Sequence, residues 1–361
     1  MKKVSVIIPA YNAERHLSRV LNALNEQNYK EFEVIVVNDN SKDETSKIVK
    51  KFKRFKLIEN KSNLGLSKSM NKGISEASGE IIITLHDDCV PLSKNWILGM
   101  VKTFEANPKI GIVSSDYVIN FRKLGLIDKC FSYAYWLGSD IDIAKKDGIE
   151  EVDLISDKCD AYKLEVLRKI GLFDEKFRFA NEDIDVSKKV RKLGYKIVKN
   201  YECKVEHIFA ESERERTILD HFKKAFQITE DNIHVFLRYG VKYKIDSLLF
   251  ILSSIICYIL PSLVLPFYIL SVPLHKFFAI FGIFAFGIVY YMQLGLINQP
   301  WLALIIGVSY LLAKNFYKGF NYFKNYEKFD LVIPITLFCF LWDMAAGIGW
   351  VRSILKFVMK D

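Results

Sequence analysis

The amino-acid sequence predicts an α/β protein whose first part contains a mostly parallel, doubly wound sheet and whose last part is an all-α membrane domain. From Val4 to Leu85, runs of β-forming residues alternate with segments that have helical apolar spacing. Charged residues occupy 80 of the first 244 positions but only 13 of the last 117. Alternating strands and helices favour parallel pairing, and a long stretch with few charges is typical of membrane segments.

The first part of the chain divides into strands and helices according to apolar periodicity and turn residues. The predicted strands are Val4–Ile8 (ended by Pro9), Phe32–Val37, Phe55–Glu59 and Glu80–Leu85. The predicted helices are Ala13–Leu24, Lys42–Phe52 and Leu66–Ala77. Ser41 stands three residues before Glu44, a spacing that predicts a capping box at the start of the second helix.

Each predicted strand is followed by a polar loop, and parallel strands bring such loops to one edge of the sheet, where α/β proteins bind ligands. The loops are Pro9–Asn12, Asn38–Ser41, Asn60–Gly65 and His86–Asp88. The last of them contains two adjacent carboxylates, Asp87 and Asp88, which repel each other unless a cation or a proton lies between them. Their oxygen atoms suit Mg²⁺ or Mn²⁺, and the alternative is a solvated Asp-Asp loop.

Charge and cysteine content exclude several classes of protein. The net charge of +9 is spread as +6 before Ile245 and +3 after it, which is too diffuse for a nucleic-acid site and fits contact with anionic lipid. The six cysteines show no paired spacing, so we expect neither a zinc site nor a disulfide framework. Scattered cysteines of this kind suit a protein in a reducing compartment. The apolar run at the N-terminus is too short for a signal peptide, so we expect the charged first part of the chain in the cytosol.

Six short motifs together resemble the family 2 glycosyltransferases, which have the GT-A fold. The resemblance extends from about Val4 to about His207, and His86 and Asn38 stand where that family has acids. The motifs are Val4–Asn12, Val36–Thr45, Asn63–Gly65 with Asn71–Gly73, Leu85–Asp88, Ile170–Glu175 and Asn181–Asp185. The resemblance implies a Rossmann-like sheet with helices on both faces, a nucleotide-sugar donor linked to UDP or GDP, and Mg²⁺ or Mn²⁺ as cofactor.

The resemblance also implies a role for individual residues. The donor-binding residues are Pro9, Tyr11, Asp39, Asn63, Gly65 and Asp87. Asp39 would accept a hydrogen bond from the base of the nucleotide. Alternatively, Asp39 only forms a turn. Asp88 and His207 would bind the metal, although His207 is otherwise simply a histidine at a strand end. His86 is either a ligand, a phosphate donor or a packed histidine.

Asp183 is predicted to be the general base of an inverting transfer, in which a carboxylate takes the proton of the acceptor hydroxyl. Glu182 and Asp185 are predicted on the acceptor side, in a helix over Asn181–Lys192 with Val186 and Val190 facing inward. The alternative for all three acids is to stabilise the positive end of that helix. A phosphate acceptor would need less help from a base because it is already ionised.

The remaining chain is predicted to hold the enzyme at a membrane. We expect a catalytic domain over residues 1–215, an amphipathic linker over 216–244 and a transmembrane domain over 245–361. Thr217–Tyr243 is basic and aromatic, as in interfacial helices, or it packs on the catalytic domain. The candidate spanning segments are Asp246–Pro273, Phe277–Leu296, Leu331–Trp350 and, if extended, Trp301–Ala313. The number of crossings is left open.

These features together predict a multi-pass cell-membrane protein that transfers sugar to a lipid-linked acceptor at the cytosolic face. The acceptor would be a polyisoprenyl phosphate, as in dolichyl-phosphate sugar synthases, or a lipid-linked or surface glycan. A processive polysaccharide synthase is the alternative, disfavoured because no Q-x-x-R-W motif follows Asp183. Two further hypotheses are a scaffold that keeps the fold without the chemistry and a nucleotidyltransferase. Membrane lipid is an expected partner and nucleic acid is not.

Overall fold

The computed structural model describes residues 2–135, 139–140, 146–155, 158–178 and 180–208, together with 235, 238–239, 315–316, 333–339 and 341. The chain forms two compact units. One consists of Met1–Asp128 and Trp136–Glu215, and the other of Lys129–Tyr135 and Arg216–Asp361.

The first unit alternates strands and helices, as its apolar periodicity predicts. The strands are β1 (Val4–Ala10), β2 (Phe32–Asn38), β3 (Lys56–Glu59), β4 (Ile81–Leu85), β5 (Cys89–Pro91), β6 (Ile110–Ile119), β7 (Ser139–Asp140), β8 (Ile149–Glu151), β9 (Cys159–Lys163) and β10 (Lys196–His207). The helices are α1 (Leu17–Asn25), α2 (Thr45–Lys50), α3 (Leu66–Ser75), α4 (Trp96–Ala106), α5 (Leu126–Tyr135), α6 (Leu164–Lys169) and α7 (Glu182–Lys192). Helix α5 extends into the second unit.

All ten described strands form one mixed sheet rather than a mostly parallel one. The strand order is β3-β2-β1-β4-β9-β6-β10-β5, with β7 beside β6 and β8 beside β10. Strands β1 to β4 pair in parallel, as predicted. Strand β9 runs antiparallel to both β4 and β6, and β10 runs antiparallel to β5 and β8. The predicted parallel pairing is therefore right for the first four strands. The later strands mix parallel pairs, β6 with β10 and β6 with β7, with these antiparallel ones.

Helices cover both faces of this sheet, as predicted. Buried apolar side chains of α1, α2 and α4 pack on one face, and those of α3, α6 and α7 pack on the other. The period of two along each strand separates the two layers, so Val6 and Ile8 face the first layer while Ile7 faces the second. Helix α7 buries Val186 and Val190, the two residues predicted for its inner face.

The predicted boundaries of β1 and α1 differ from those in the structure. Strand β1 continues through Pro9 to Ala10, because parallel pairing aligns Pro9 with Val37 and Ala10 with Asn38. Helix α1 begins at Leu17 rather than at Ala13, and the backbone N–H groups of Ala13 and Glu14 donate to side chains of the neighbouring loop. The first difference makes β1 longer at the polar edge of the sheet. The second leaves the residues before Leu17 in the loop at that edge.

The predicted membrane segments fall almost entirely outside the described residues. Within the described part of the chain, no helix has both the length and the apolar character needed to cross a bilayer. The described residues of the last segment, 333–339 and 341, are helical. The linker and membrane domain therefore stay predictions.

Close contact between α3 and β1 gives a test of the packing. A Cβ atom added at Gly73 would overlap Ile7 Cγ2 and would lie 3.1 Å from Val37 Cγ2. We expect Gly73→Ala to destabilise the protein by about 1–3 kcal/mol, the usual range for overpacking a core. Ser75→Ala, at the exposed end of the same helix, serves as the control in chemical denaturation. Equal stability of the two variants would show that α3 moves away from β1 without penalty.

Candidate active site

Hydrogen bonds join the loops that follow β1 and β2. Asn12 N donates to Ser41 Oγ at 2.9 Å, and Lys42 N donates to Asn12 Oδ1 at 2.9 Å. Ala13 N donates to Thr45 Oγ1 at 2.8 Å. The predicted capping box is therefore wrong: α2 begins only at Thr45, because the Ser41 hydroxyl is used between the loops and not as a helix cap.

The Asp39 carboxylate joins the β2 loop to the β3 loop. It is buried, and its Oδ1 accepts hydrogen bonds from Asn60 Nδ2 and Leu64 N, each at 2.8 Å. Its Oδ2 accepts a hydrogen bond from Gly65 N at 2.9 Å. A carboxylate has about four acceptor positions, so one remains for a ligand. Contact between Asp39 and a nucleotide base stays a prediction, and holding the loop is a role that the structure adds.

The two adjacent carboxylates of the β4 loop have different partners. Asp87 Oδ2 accepts a hydrogen bond from Tyr11 N at 3.2 Å. Asp88 Oδ2 lies 3.3 Å from His207 Nε2, and the Asp88 carbonyl accepts a hydrogen bond from Ile208 N at 2.9 Å. The predicted convergence of the loops is thus confirmed. The two predicted metal ligands, Asp88 and His207, also lie side by side, because β5 pairs with the end of β10.

Burial and mutual repulsion separate the titration of the two carboxyl groups. Burial and the charge of Asp88 raise the pKa of Asp87 to about 8. Burial also opposes ionisation of Asp88, but the charges of His207, His86 and Lys158 outweigh it and hold the pKa of Asp88 well below its usual range. The site therefore favours a proton or a cation beside Asp87. A divalent cation fits this donor set, with Asp88 and His207 as its ligands.

Cys89 belongs to the same group of potential ligands. One ligand atom from each of Asp88, Cys89 and His207 lies within 4.8 Å of the other two. Cysteine spacing in the sequence did not predict this arrangement, because Cys89 and His207 are 118 positions apart and meet only through strand pairing. Burial and a hydrogen bond with Cys159 raise the pKa of the Cys89 thiol well above its usual value.

The other predicted donor-binding residues differ in their exposure. The Tyr11 side chain is 52% exposed, so it is available to a ligand at the polar edge. Pro9 is buried within β1, and Asn63 is exposed in the loop before α3. Gly65 has φ +88°, a conformation that glycine adopts readily and that aims its N–H at Asp39. Their contacts with a donor stay predictions.

The three acids at the start of α7 have unequal access to solvent. Glu182 and Asp185 are buried, and Asp185 Oδ2 pairs with Lys189 Nζ at 2.6 Å. Asp183 between them is partly exposed. Asp185 thus has a structural partner within its own helix, and Asp183 is the most accessible carboxylate of the three. The predicted roles of all three in catalysis or acceptor binding stay predictions.

Sequence reasoning missed two side chains that organise the site. Asn60 Nδ2 donates to both Asp39 Oδ1 and Ser69 Oγ. Asn71 Nδ2 donates to the Phe173 carbonyl at 2.8 Å, and Asn71 Oδ1 accepts from Phe173 N at 3.1 Å. These contacts connect segments that the motifs mark separately in the sequence. The motifs that contain Asn71 and Phe173 could have drawn attention to both residues. Only the tertiary structure shows that the two residues pair.

A known family of enzymes matches part of the chain. Residues 5–170 match the family model described as Glycosyl transferase family 2. Over these residues, which are just under half of the chain, the protein has a domain similar to the family 2 glycosyltransferases. The predicted class of enzyme is therefore confirmed for this domain. The match ends before α7, so Asp183 and His207 lie outside it.

Two relatives are similar over part of the chain. A poly-beta-1,6-N-acetyl-D-glucosamine synthase from Staphylococcus epidermidis is 29% identical over 200 residues, which are 54% of this chain and 47% of the relative. A GalNAc(5)-diNAcBac-PP-undecaprenol beta-1,3-glucosyltransferase from Campylobacter jejuni is 33% identical over 154 residues, which are 41% of this chain and 47% of the relative. The alignments thus span about half the length of each relative.

Solved structures support the GT-A fold. A mannosyltransferase from Pyrobaculum calidifontis in complex with GDP-Man and Mn²⁺ has a TM-score of 0.56 and 17% identity, covering 97% of this chain and 87% of the other. GalNAc-T7 with UDP, GalNAc and Mn²⁺ has a TM-score of 0.50 and 16% identity, covering 65% of this chain and 48% of the other. At these identities the likeness concerns the fold alone.

The contacts of Asp39 predict a measurable cost of its replacement. An asparagine has only one acceptor oxygen, so Asp39→Asn would leave at least one buried N–H group of the loop without its acceptor. We expect a loss of about 1–3 kcal/mol in unfolding free energy. Asp153→Asn makes the same chemical change at a carboxylate whose side chain is 83% exposed, and we expect little effect. Equal denaturation midpoints would contradict the scaffolding role of Asp39.

Proposed function

We propose that this protein is a metal-dependent inverting glycosyltransferase that moves a sugar from a nucleotide-sugar donor to a lipid-linked acceptor. The observation that carries the proposal is the approach of Asp88 to His207 at the loop edge of the sheet, beside Asp87. A hard divalent cation held there would neutralise the leaving diphosphate. The Mn²⁺ and nucleotide-sugar ligands of the solved neighbours support this choice.

In the proposed reaction, the acceptor oxygen forms a bond to the anomeric carbon as the bond from that carbon to the diphosphate oxygen breaks. The configuration at carbon inverts, and the nucleoside diphosphate leaves with the electron pair of the broken bond. Asp183 takes the proton when the acceptor is a hydroxyl. Its partial exposure beside two buried acids supports this assignment. Tyr11 and Asp39 would hold the nucleotide, and Asp87 would orient the sugar or ribose.

We place the enzyme at the cytosolic face of the cell membrane, with residues 245–361 in the bilayer. Ile333, Leu337 and Leu341 recur every four positions, and their side chains are 67%, 50% and 38% exposed. Residues four apart lie on one side of a helix, so these side chains give it an exposed apolar stripe. An exposed apolar stripe suits contact with lipid. A lipid-linked acceptor is also named for the Campylobacter jejuni relative.

A second candidate function is a synthase that extends a β-linked polysaccharide, which the Staphylococcus epidermidis relative favours. The two functions differ in product length. With excess donor, a single-addition enzyme gives one product per acceptor, whereas a synthase gives a distribution of long chains. Mass spectrometry of the products separates the two.

The proposal is tested with the purified full chain and a panel of UDP- and GDP-linked sugars, with and without polyisoprenyl phosphate. We expect release of nucleoside diphosphate from one donor, stimulated by the lipid acceptor and abolished by excess chelator. Asp88→Ala should lose most of this activity, while Asp153→Ala should keep it. Full activity in chelator would refute the metal assignment, and no turnover with any donor would refute the function.

Asp183 gives a separate prediction. With a hydroxyl acceptor, Asp183→Asn should lower turnover by roughly 10²–10⁴-fold, the usual contribution of positioned proton transfer. Donor affinity should change little, because the nucleotide loops lie on other elements. Asp147→Asn, at an exposed loop carboxylate, is the matched control. A parallel loss of donor affinity would make Asp183 a donor-site residue, and a small loss with a phosphate acceptor would be expected from its ionised oxygen.

A further inference from the structure

The pairing of β5 with β10 gives the site a sulfur atom. Cys89 and His207 are directly opposite each other in this antiparallel pair, so their side chains extend from the same face. Asp88 precedes Cys89, and its carboxylate reaches both partners: Oδ2 lies 3.3 Å from His207 Nε2, and Oδ1 lies 3.6 Å from Cys89 Sγ. The three side chains form what we name the Asp88–Cys89–His207 cluster.

We propose that the Asp88–Cys89–His207 cluster binds a thiophilic divalent cation of the zinc class, with the Cys89 thiolate as a direct ligand. One oxygen, one sulfur and one nitrogen are ligands that zinc commonly takes, and three protein ligands leave a fourth position open. The proposal concerns the same region as the proposed transferase site. It requires only the geometry of these three residues and not the transfer reaction.

The distances suit such an ion. Zinc bonds of about 2.0–2.3 Å in a tetrahedral site place ligand atoms about 3.4–3.6 Å apart. The distance from Asp88 Oδ2 to His207 Nε2 is 3.3 Å and the distance from Asp88 Oδ1 to Cys89 Sγ is 3.6 Å, so each partner lies near that range from a different oxygen of the carboxylate. One ligand atom from each residue lies within 4.8 Å of the other two, so binding requires the three side chains to move closer together. The Ile208 N–H holds the Asp88 backbone from the opposite strand.

A sulfur ligand is expected to favour one class of metal ion over another. Mg²⁺ and Mn²⁺ prefer oxygen ligands and gain little from a thiol, whereas zinc binds thiolate strongly. A zinc ion held by ionised Asp88 and Cys89 is fully neutralised by its ligands. An Mn²⁺ ion held by Asp88 and His207 keeps a positive charge for a diphosphate. We therefore expect zinc to compete with Mn²⁺ and to support donor turnover poorly.

The test uses the purified full chain without donor. Zinc affinity is measured by calorimetry, and Co²⁺ serves as a probe whose sulfur-to-metal charge-transfer band reports a thiolate ligand. We expect wild-type protein to show this band. Cys89→Ser should lose it and bind zinc at least about 10–100-fold more weakly, since loss of even an outer-sphere partner costs that much. Its affinity for Mn²⁺ should stay within a few-fold of wild type.

Cys203→Ser is the matched control, because Cys203 is a buried thiol on the same strand as His207, four positions earlier. It should keep the band and the zinc affinity. If Cys89→Ser fails to fold, X-ray absorption of the zinc-loaded wild-type protein decides instead. A sulfur neighbour at about 2.3 Å supports the proposal, and a shell of nitrogen and oxygen alone overturns it. A cobalt band that persists in Cys89→Ser also overturns it, and neither result bears on transferase activity.

Discussion

The candidate site depends on hydrogen bonds that hold the loops after the first strands against one another. Asp39 is central, because its buried carboxylate accepts hydrogen bonds from the Asn60 side chain and from the backbone of Leu64 and Gly65. A buried carboxylate is stable only when such donors surround it. The same bonds fix the entry to α3 and the turn at Gly65. The hydrogen bonds to Asp39 therefore determine both the shape of these loops and the position of the sheet edge at which we propose that the ligand binds.

The antiparallel strands added after β4 complete this edge. Strands β4, β6 and β10 run in the same direction, so the end of β10 lies at the same edge of the sheet as the end of β4. Strand β5 follows directly after Asp88 and pairs with the end of β10, which brings His207 beside that aspartate. The residue opposite His207 in this register is Cys89. The proposed metal site thus depends on strand register as well as on the acidic motif.

The three acidic residues at the start of α7 differ in how deeply their side chains are buried. Glu182 and Asp185 are buried, and the Asp185–Lys189 pair lies within one helix. A charged group so deeply buried is stable only when paired. Asp183 is partly exposed, which is why we propose that this residue, and not the other two, meets the acceptor. Sequence spacing alone could not rank these acids, because all three lie within the first turn.

The sequence by itself determined the first four strands, the helices between them, the faces of the core and the convergence of polar loops. These follow from local periodicity and from the geometry of parallel crossovers. Only the tertiary structure decided the antiparallel pairing of β9 and β5, the use of Ser41 between loops and the meeting of Cys89 with His207. Each of these depends on contacts between positions that are distant in the sequence. The residues next to a hydroxyl or a thiol in the sequence do not show which distant partner it will contact.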